Sequence, residues 1–178
     1  MPALMPLLEG DPTLTLWQRA PEADVGNILP LLSERPVPVG KIAAALSLKV
    51  QSDALDVNIS GLIKKVGDAP AQFEIIVNVA DAPVRQRFTV AHEIGHFLLH
   101  RHLIDQEGII DTILFRSNIS SKFEVEANKV AASILLPWNN VRDWSDTHYG
   151  SMPNQQIISE IANAYRVSEL TVGYRFGF

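Results

Sequence analysis

The most constraining feature of this chain is the pentapeptide HEIGH at residues 92–96, inside the longer run RFTVAHEIGHFLLH. On an α-helix, residues four positions apart lie on one face, so His92 and His96 can bind one metal ion between them. Imidazole nitrogen is a common zinc ligand, and a glutamate directly after the first histidine can act as a general base. The pattern therefore predicts a helix that carries a zinc site, with Glu93 as the catalytic residue.

The residues around the motif favour a metal site over histidines that only pack in a helix. Ala91, Ile94 and Leu98 form an apolar stripe, which predicts an amphipathic and buried helix. Gly95 costs about 1 kcal/mol relative to alanine in a helix interior, so it indicates that another element packs closely beside the site. The alternative, core or surface histidines with ordinary hydrogen bonds, stays open on the motif alone.

A catalytic zinc ion usually has three protein ligands, so a third one is needed. His100 lies about 12 Å along a straight helix from His92, which is too far to share the ion. We interpret His100 as a histidine near the helix C-terminus, where the helix dipole favours it. The segment SKFEVEANKVAASILLP, a second predicted helix, offers Glu124 and Glu126 instead.

Helical spacing separates these two glutamates. Glu124 shares an apolar stripe, and a carboxylate on a buried face needs a strong partner such as zinc. Glu126 is predicted on a solvated face with Lys122, Lys129 and Ser133. Glu124 is therefore the predicted third ligand, with a capping box from Ser121 as the alternative. Asn128, one turn later, is predicted to hydrogen-bond a metal ligand.

The order of predicted elements indicates an α+β domain with a small sheet beside helices. Residues 1–35 are predicted to form an N-terminal arm packed on a domain of residues 36–178. A strand is predicted around residues 72–80, and helices at about 84–102 and 122–136. Residues 47–67 are mixed, with turns predicted at Ser52-Asp53 and Ser60-Gly61, while residues 103–121 are either a strand or a lid.

The C-terminal region has two further features. The residues after Pro137 are predicted to form a loop with two tryptophans, which either bind a partner or pack inside. The end of the chain is predicted to be a helix–turn–helix with Ser168 as an N-cap. That outline allows a DNA-binding module, but it has few basic residues, so a helical pair that closes the core is favoured.

Charge and composition narrow the function further. The net charge is −5 and the pI is about 5.5, so nucleic acid is an unlikely partner except as an activating signal. The chain has no cysteine, which excludes disulfides and thiolate metal sites. With no signal peptide and no apolar run of membrane-spanning length in the sequence, we expect a soluble cytoplasmic protein.

Two segments together, RQRFTVAHEIGHFLLH and FEVEANKVAASILLP, resemble the ImmA/IrrE family of metallopeptidases. That family shows R-F-T-x-A-H-E-x-G-H-x-x-x-H and then E-x-(E/Q)-A-N-x-x-A-x-x-L-L-x-P. The departures are small: Val130 replaces a frequent phenylalanine, and Ile134 departs from the usual Leu-Leu form. The resemblance covers roughly residues 36–175 and includes the upstream Ser60-Gly61 pair.

The resemblance implies a zinc endopeptidase with His92, His96 and Glu124 as ligands and Glu93 as the base. It also implies a helix-turn-helix repressor as substrate, whose cleavage relieves repression of DNA-damage, stress, phage or anti-phage genes. Many zinc peptidases have a further oxyanion donor, and the candidates here are Arg87, Tyr149 and Tyr165. The predicted strand at Phe73–Val79 could take the substrate as an added strand. The alternative function is a zinc-containing module that sequesters the repressor without cutting it.

Overall fold

The computed structural model describes residues 8–67, 72–104, 118–150 and 152–178, and it describes no side chain within 118–121. The described chain is a mixture of helices and a three-stranded sheet, which confirms the predicted α+β class. The predicted lid or strand at 103–121 falls almost entirely outside the described residues.

The N-terminal part of the described chain is helical. Its α-helices are α1 (Leu14–Trp17), α2 (Glu22–Ile28) and α3 (Val39–Ala45), with a 3-10 helix at Leu29–Ser33 between the last two. Trp17, Val25, Ile28 and Leu32 are buried in the same core cluster as the sheet. The predicted division into residues 1–35 and 36–178 stays a prediction.

The sheet contains β1 (Leu48–Asp53), β2 (Gly61–Lys65) and β3 (Phe73–Asn78) in the order β1-β3-β2. β3 runs parallel to β1 and antiparallel to β2, and every residue of β3 is buried. The strand prediction for this segment is thus confirmed. The turn predicted at Ser52-Asp53 is wrong because β1 runs through both residues. β1 is mostly exposed, so its hydrogen bonds to β3 hold it in place. For the same reason its sequence shows no sustained alternation of apolar and polar residues that would have predicted a strand.

Two long helices carry the HEIGH and EVEAN segments. These are α4 (Pro83–His100) and α5 (Asn118–Leu135), close to the predicted bounds. They pack closely at Gly95, where an added Cβ would lie only 2.9 Å from the carbonyl oxygen of Ala127. The close packing predicted from this glycine is therefore confirmed, and it places the two motif segments against each other.

The predicted loop after Pro137 is wrong, since residues Trp138–Tyr149 form helix α6. Proline ends a preceding helix, but it is equally compatible with the first residues of a following one. The ring of Trp138 stacks on Phe176 and that of Trp144 meets Tyr165 edge-on, so both half-buried tryptophans pack against other rings of the protein.

The C-terminal helices are α7 (Ile158–Tyr165) and α8 (Glu169–Phe176), as the helix–turn–helix outline predicts. Ser168 caps α8 by accepting a hydrogen bond from the amide of Thr171, which confirms the predicted cap. The pair packs its apolar residues into the core, as expected for a core-closing pair: Ile157, Ile161, Tyr165, Val167 and Val172. Within the described part of the chain, no helix combines the length and apolar character that a membrane crossing requires.

Candidate metal centre

The side chains of His92, His96 and Glu124 converge at the contact between α4 and α5. Nε2 of His92 lies 3.0 Å from Nε2 of His96. Each of these nitrogens lies 3.2 Å from one carboxylate oxygen of Glu124. One donor atom from each residue lies within 4.8 Å of the other two, so the three could hold a metal ion. The structure thus brings together the three residues predicted as ligands.

Each histidine presents Nε2 to the common point because its Nδ1 is engaged elsewhere. Nδ1 of His92 lies 2.9 Å from the amide oxygen of Asn128. Since that oxygen can only accept, Nδ1 donates and Nε2 is left for the metal. Asn128 therefore has the position expected of a residue that orients a ligand.

His96 is oriented by residues that sequence reasoning assigned elsewhere. Its Nδ1 lies 3.1 Å from Nδ1 of His100, and Nε2 of His100 lies 3.0 Å from Glu126. Arg19 in turn forms two hydrogen bonds with Glu126, of 2.8 and 2.9 Å. His100 is fully buried, so its contacts, rather than the helix dipole alone, define its environment.

The solvated face predicted for α5 is confirmed for Lys122 and Lys129, which are exposed, but it is wrong for Glu126 and Ser133. Glu126 and Ser133 are both buried, and Lys122 lies 3.9 Å from Glu126 as a more distant partner. The cause is the N-terminal segment, which covers this face: Arg19 pairs with Glu126, and Trp17 donates a hydrogen bond to Ser133. A helical wheel of α5 cannot show this, because the covering residues lie more than a hundred positions away. The repeated four-residue spacing of His92, His96 and His100 could have indicated from the sequence that His100 contacts a ligand. No sequence pattern indicates the contact of Arg19.

The two histidine ligands have opposite pKa shifts. Burial opposes the charge on His92, but the hydrogen bond to Glu124 and the charge of Glu93 outweigh it and raise the pKa to about 9. Burial lowers the pKa of His96 to about 4, and Glu124 offsets only part of this effect. At neutral pH and without metal, His92 is therefore the protonated, positively charged ring, and His96 is neutral.

The carboxylates of Glu124 and Glu126 are ionised. Burial would raise the pKa of Glu124, but His92 and His96 lower it well below its ordinary range. The hydrogen bonds from Arg19, with a smaller effect of His100, lower the pKa of Glu126 to about 2. Burial lowers the pKa of His100 more than Glu126 raises it, so this ring is neutral.

The donor set fits a metal ion. Oε1 of Glu124 is buried and makes no hydrogen bond, although it lies 3.2 Å from Nε2 of His96. The neutral ring of His100 donates from Nε2 to Glu126, so its Nδ1 accepts from Nδ1 of His96. His96 then has no hydrogen at Nε2, and two acceptors face each other there. Such an arrangement is costly unless a cation lies between them. Two imidazoles and one carboxylate form one of the usual ligand sets of catalytic zinc.

Glu93 and the predicted oxyanion donors occupy different surroundings. Glu93 is buried beside its neighbour His92, whose pKa its charge raises. The guanidinium of Arg87 donates to the backbone oxygens of Val37 and Arg166. The hydroxyl of Tyr165 donates to the backbone oxygen of Asn140, and the ring of Tyr149 packs against Trp144. These contacts commit Arg87 and Tyr165 to structural partners.

A largely apolar groove of about 620 Å³ adjoins the site. It shares Asn128 with the ligand network, and the ring of Phe88 in its wall lies 6.4 Å from the ring of His92. Its opposite wall comes from α8, where Leu170 and Tyr174 are exposed. The strand predicted to accept the substrate does not border open solvent, because β3 is the central strand and both its edges are paired. Only β1 and β2 have an edge that no other described strand pairs with.

Comparison with known proteins places this geometry in a family. The family model described as the IrrE N-terminal-like domain, of the peptidase M78 family, matches residues 57–176. The radiation response metalloprotease IrrE of Deinococcus radiodurans is 32% identical over 107 residues, which are 59% of this chain and 31% of that protein. The chain thus spans about a third of the length of this curated relative.

A solved structure shares the fold at low sequence identity. It is a Mycobacterium tuberculosis transcriptional regulator, with a TM-score of 0.55 and 16% identity over 86% of this chain and 46% of that one. This similarity supports the architecture alone. The family match extends from before β2 to α8 and includes both motif segments. The protein therefore belongs to the IrrE-like peptidase M78 family of metallopeptidases, as the ImmA/IrrE resemblance predicted.

Proposed function

We propose that this protein is a zinc-dependent endopeptidase with His92, His96 and Glu124 as metal ligands and Glu93 as the catalytic base. The observation that carries the proposal is the convergence of two imidazole nitrogens and one carboxylate within 4.8 Å. Membership of a metallopeptidase family supports the reaction class. The facing acceptors of His96 and Glu124 support a cation between them.

The proposed chemistry needs a water molecule and a proton carrier. A bound zinc ion supplies an activated water and an electrophile for the scissile carbonyl. Glu93 accepts the proton of the attacking water and then transfers it to the nitrogen of the leaving amine. Asn128 and His100 keep the ligand rings in orientation during this cycle. Burial of Glu93 keeps the base in a site of low dielectric, where such transfers are most sensitive to geometry.

For the substrate we propose a helix-turn-helix transcriptional repressor, cleaved to relieve repression in a stress, DNA-damage or phage-related response. The support is the family resemblance together with the relative named as a radiation response metalloprotease. The apolar groove supports a substrate segment with a large apolar side chain next to the scissile bond, since Asn128 belongs to both groove and ligand network. The cytoplasmic location stays a prediction from the sequence.

The test is incubation of the zinc-loaded protein with a candidate helix-turn-helix repressor from the same organism, followed by mass analysis of the products. Wild type should yield two fragments of the repressor. Glu93→Gln should bind the same amount of zinc and yield none, because it lacks only the base. Stable co-elution of wild type with an intact repressor would instead favour sequestration without cleavage. Equal cleavage by wild type and Glu93→Gln would refute the proposed base.

A further inference from the structure

The ligand His96 lies at the end of a chain of hydrogen bonds that begins at the half-exposed Arg19 in the N-terminal segment and continues through the buried Glu126 and His100. Arg19 lies just after α1 and forms a two-pronged contact with both carboxylate oxygens of Glu126. One of those oxygens contacts Nε2 of His100, whose Nδ1 contacts Nδ1 of His96. The four residues thus connect a segment outside the matched family region to a metal ligand.

The chemistry of the partners gives this chain a single direction. A carboxylate only accepts, so Nε2 of His100 donates to Glu126. Of the two facing Nδ1 atoms, one must donate and the other accept. A neutral histidine that binds metal through Nε2 has its ring proton on Nδ1, so Nδ1 of His96 donates and Nδ1 of His100 accepts. The lone pair of His96 is then on Nε2, where it faces Glu124. The orientation of one ring therefore fixes the tautomer of the next.

Among these hydrogen-bonded residues, Arg19 makes the contact that nearby side chains are least able to replace. It contributes two donors in the planar arrangement that matches a carboxylate. The other described cation near Glu126 is Lys122, at 3.9 Å and mostly exposed. Without Arg19, Glu126 gains freedom to rotate and to turn towards solvent, and His100 loses a fixed acceptor.

We propose that Arg19 is a positioning residue of the metal centre: through Glu126 and His100 it keeps His96 in its metal-binding tautomer, so docking of the N-terminal segment sets the metal affinity. The inference rests on the proposed zinc site. Partners of ligand residues typically contribute about 10–100-fold to metal affinity. Arg19 acts through two further side chains, so we expect about tenfold.

The experiment is a zinc competition titration of the full chain against a chromophoric chelator at fixed pH. Arg19→Gln should raise the zinc Kd about tenfold, and Arg19→Lys should recover part of the loss because one donor remains. Lys122→Gln is the matched control near the same carboxylate and should leave Kd within about twofold, as expected for a distant surface pair. Nitrogen NMR of the histidines in the zinc-free protein gives a second readout: His96 should show its proton on Nδ1 in wild type and a tautomer mixture in Arg19→Gln.

A loss of stability alone must be distinguished from a loss of positioning. Val25→Ala removes buried packing from the same N-terminal segment without touching Arg19. If Val25→Ala weakens zinc binding as much as Arg19→Gln does, the effect is general loosening and the inference fails. An unchanged Kd in Arg19→Gln would also overturn it. If His92→Ala and His96→Ala leave zinc binding of wild-type strength, the proposed site itself fails, whatever Arg19 does.

Discussion

Replacing Gly95 by alanine tests whether the spacing between α4 and α5 determines the metal site. The added Cβ would lie 2.9 Å from the carbonyl oxygen and 3.1 Å from the Cα of Ala127. Ordinary van der Waals contact begins near 3.4 Å, so the helices must separate by about 0.5 Å, the difference between 2.9 and 3.4 Å. Both obstructing atoms belong to the backbone, so no side-chain rotation can relieve the contact.

Two effects of opposite sign contribute to the change in the free energy of unfolding of Gly95→Ala. Alanine gains about 1 kcal/mol over glycine from helix propensity. Overpacking costs about 1–3 kcal/mol, so the free energy of unfolding should fall by about 0–2 kcal/mol. Metal–ligand distances tolerate about 0.2 Å. A shift of α5 relative to α4 moves Glu124 away from the histidines and should weaken zinc binding by about tenfold or more.

The assay combines urea unfolding of the metal-free protein with a zinc competition titration. Gly26→Ala is the matched control, because Gly26 lies inside helix α2 and an added Cβ meets no atom within 4 Å. This control should gain about 0.5–1 kcal/mol and keep its zinc affinity. If Gly95→Ala is stabilised to the same extent and binds zinc normally, the reasoning about helix spacing is refuted.

Three further predictions concern pH, the core and the groove. His92 has a pKa of about 9, so zinc must displace a proton from it at neutral pH. Zinc affinity should therefore increase about tenfold per pH unit between pH 6 and 8, and a flat titration would contradict this. Arg175 lowers the pKa of Asp11 against the effect of burial, so this ion pair stabilises the fold above the unfolded pKa and is lost as pH falls through the folded value. In acid and urea titrations, Asp11→Asn should lose about 3–5 kcal/mol at pH 7 and show a flatter acid dependence than wild type; equal stability of the two at pH 7 would contradict it. Leu170→Asp should lower kcat/KM for the repressor about tenfold or more while zinc content stays unchanged, whereas normal cleavage would exclude the groove as the substrate site.

The parts of the fold that could be predicted from sequence are those with local signals. Each of these signals is formed by residues that are close together in the sequence: the apolar stripes of α4 and α5, the continuous apolar run of β3, and the cap at Ser168. Gly95 predicted a close helix contact because a helix-breaking residue needs a compensating reason. The three ligand candidates followed from spacing on these two helices.

The rest depends on contacts between distant parts of the chain. β1 is mostly exposed, and its pairing with β3 holds it in place. Pro137 lies between the end of α5 and the start of α6, so it does not by itself indicate that a helix follows. Glu126 looked solvated because its nearby neighbours are lysines, while the residue that covers it is Arg19, 107 positions away. Long-range coverage of one helix face by a segment without strong periodicity leaves no pattern in the sequence.

X-ray absorption of the zinc-loaded protein would test the central claim most directly. The account predicts about one zinc ion per chain, with two imidazole nitrogens at about 2.0–2.1 Å and a carboxylate oxygen at about 2.0–2.2 Å in its first coordination shell. His96→Ala should lose the ion, and Glu124→Ala should lose the carboxylate ligand and bind zinc more weakly. A folded wild type that takes up no zinc, or a zinc shell without imidazole, would contradict the assignment of His92, His96 and Glu124 as the metal centre.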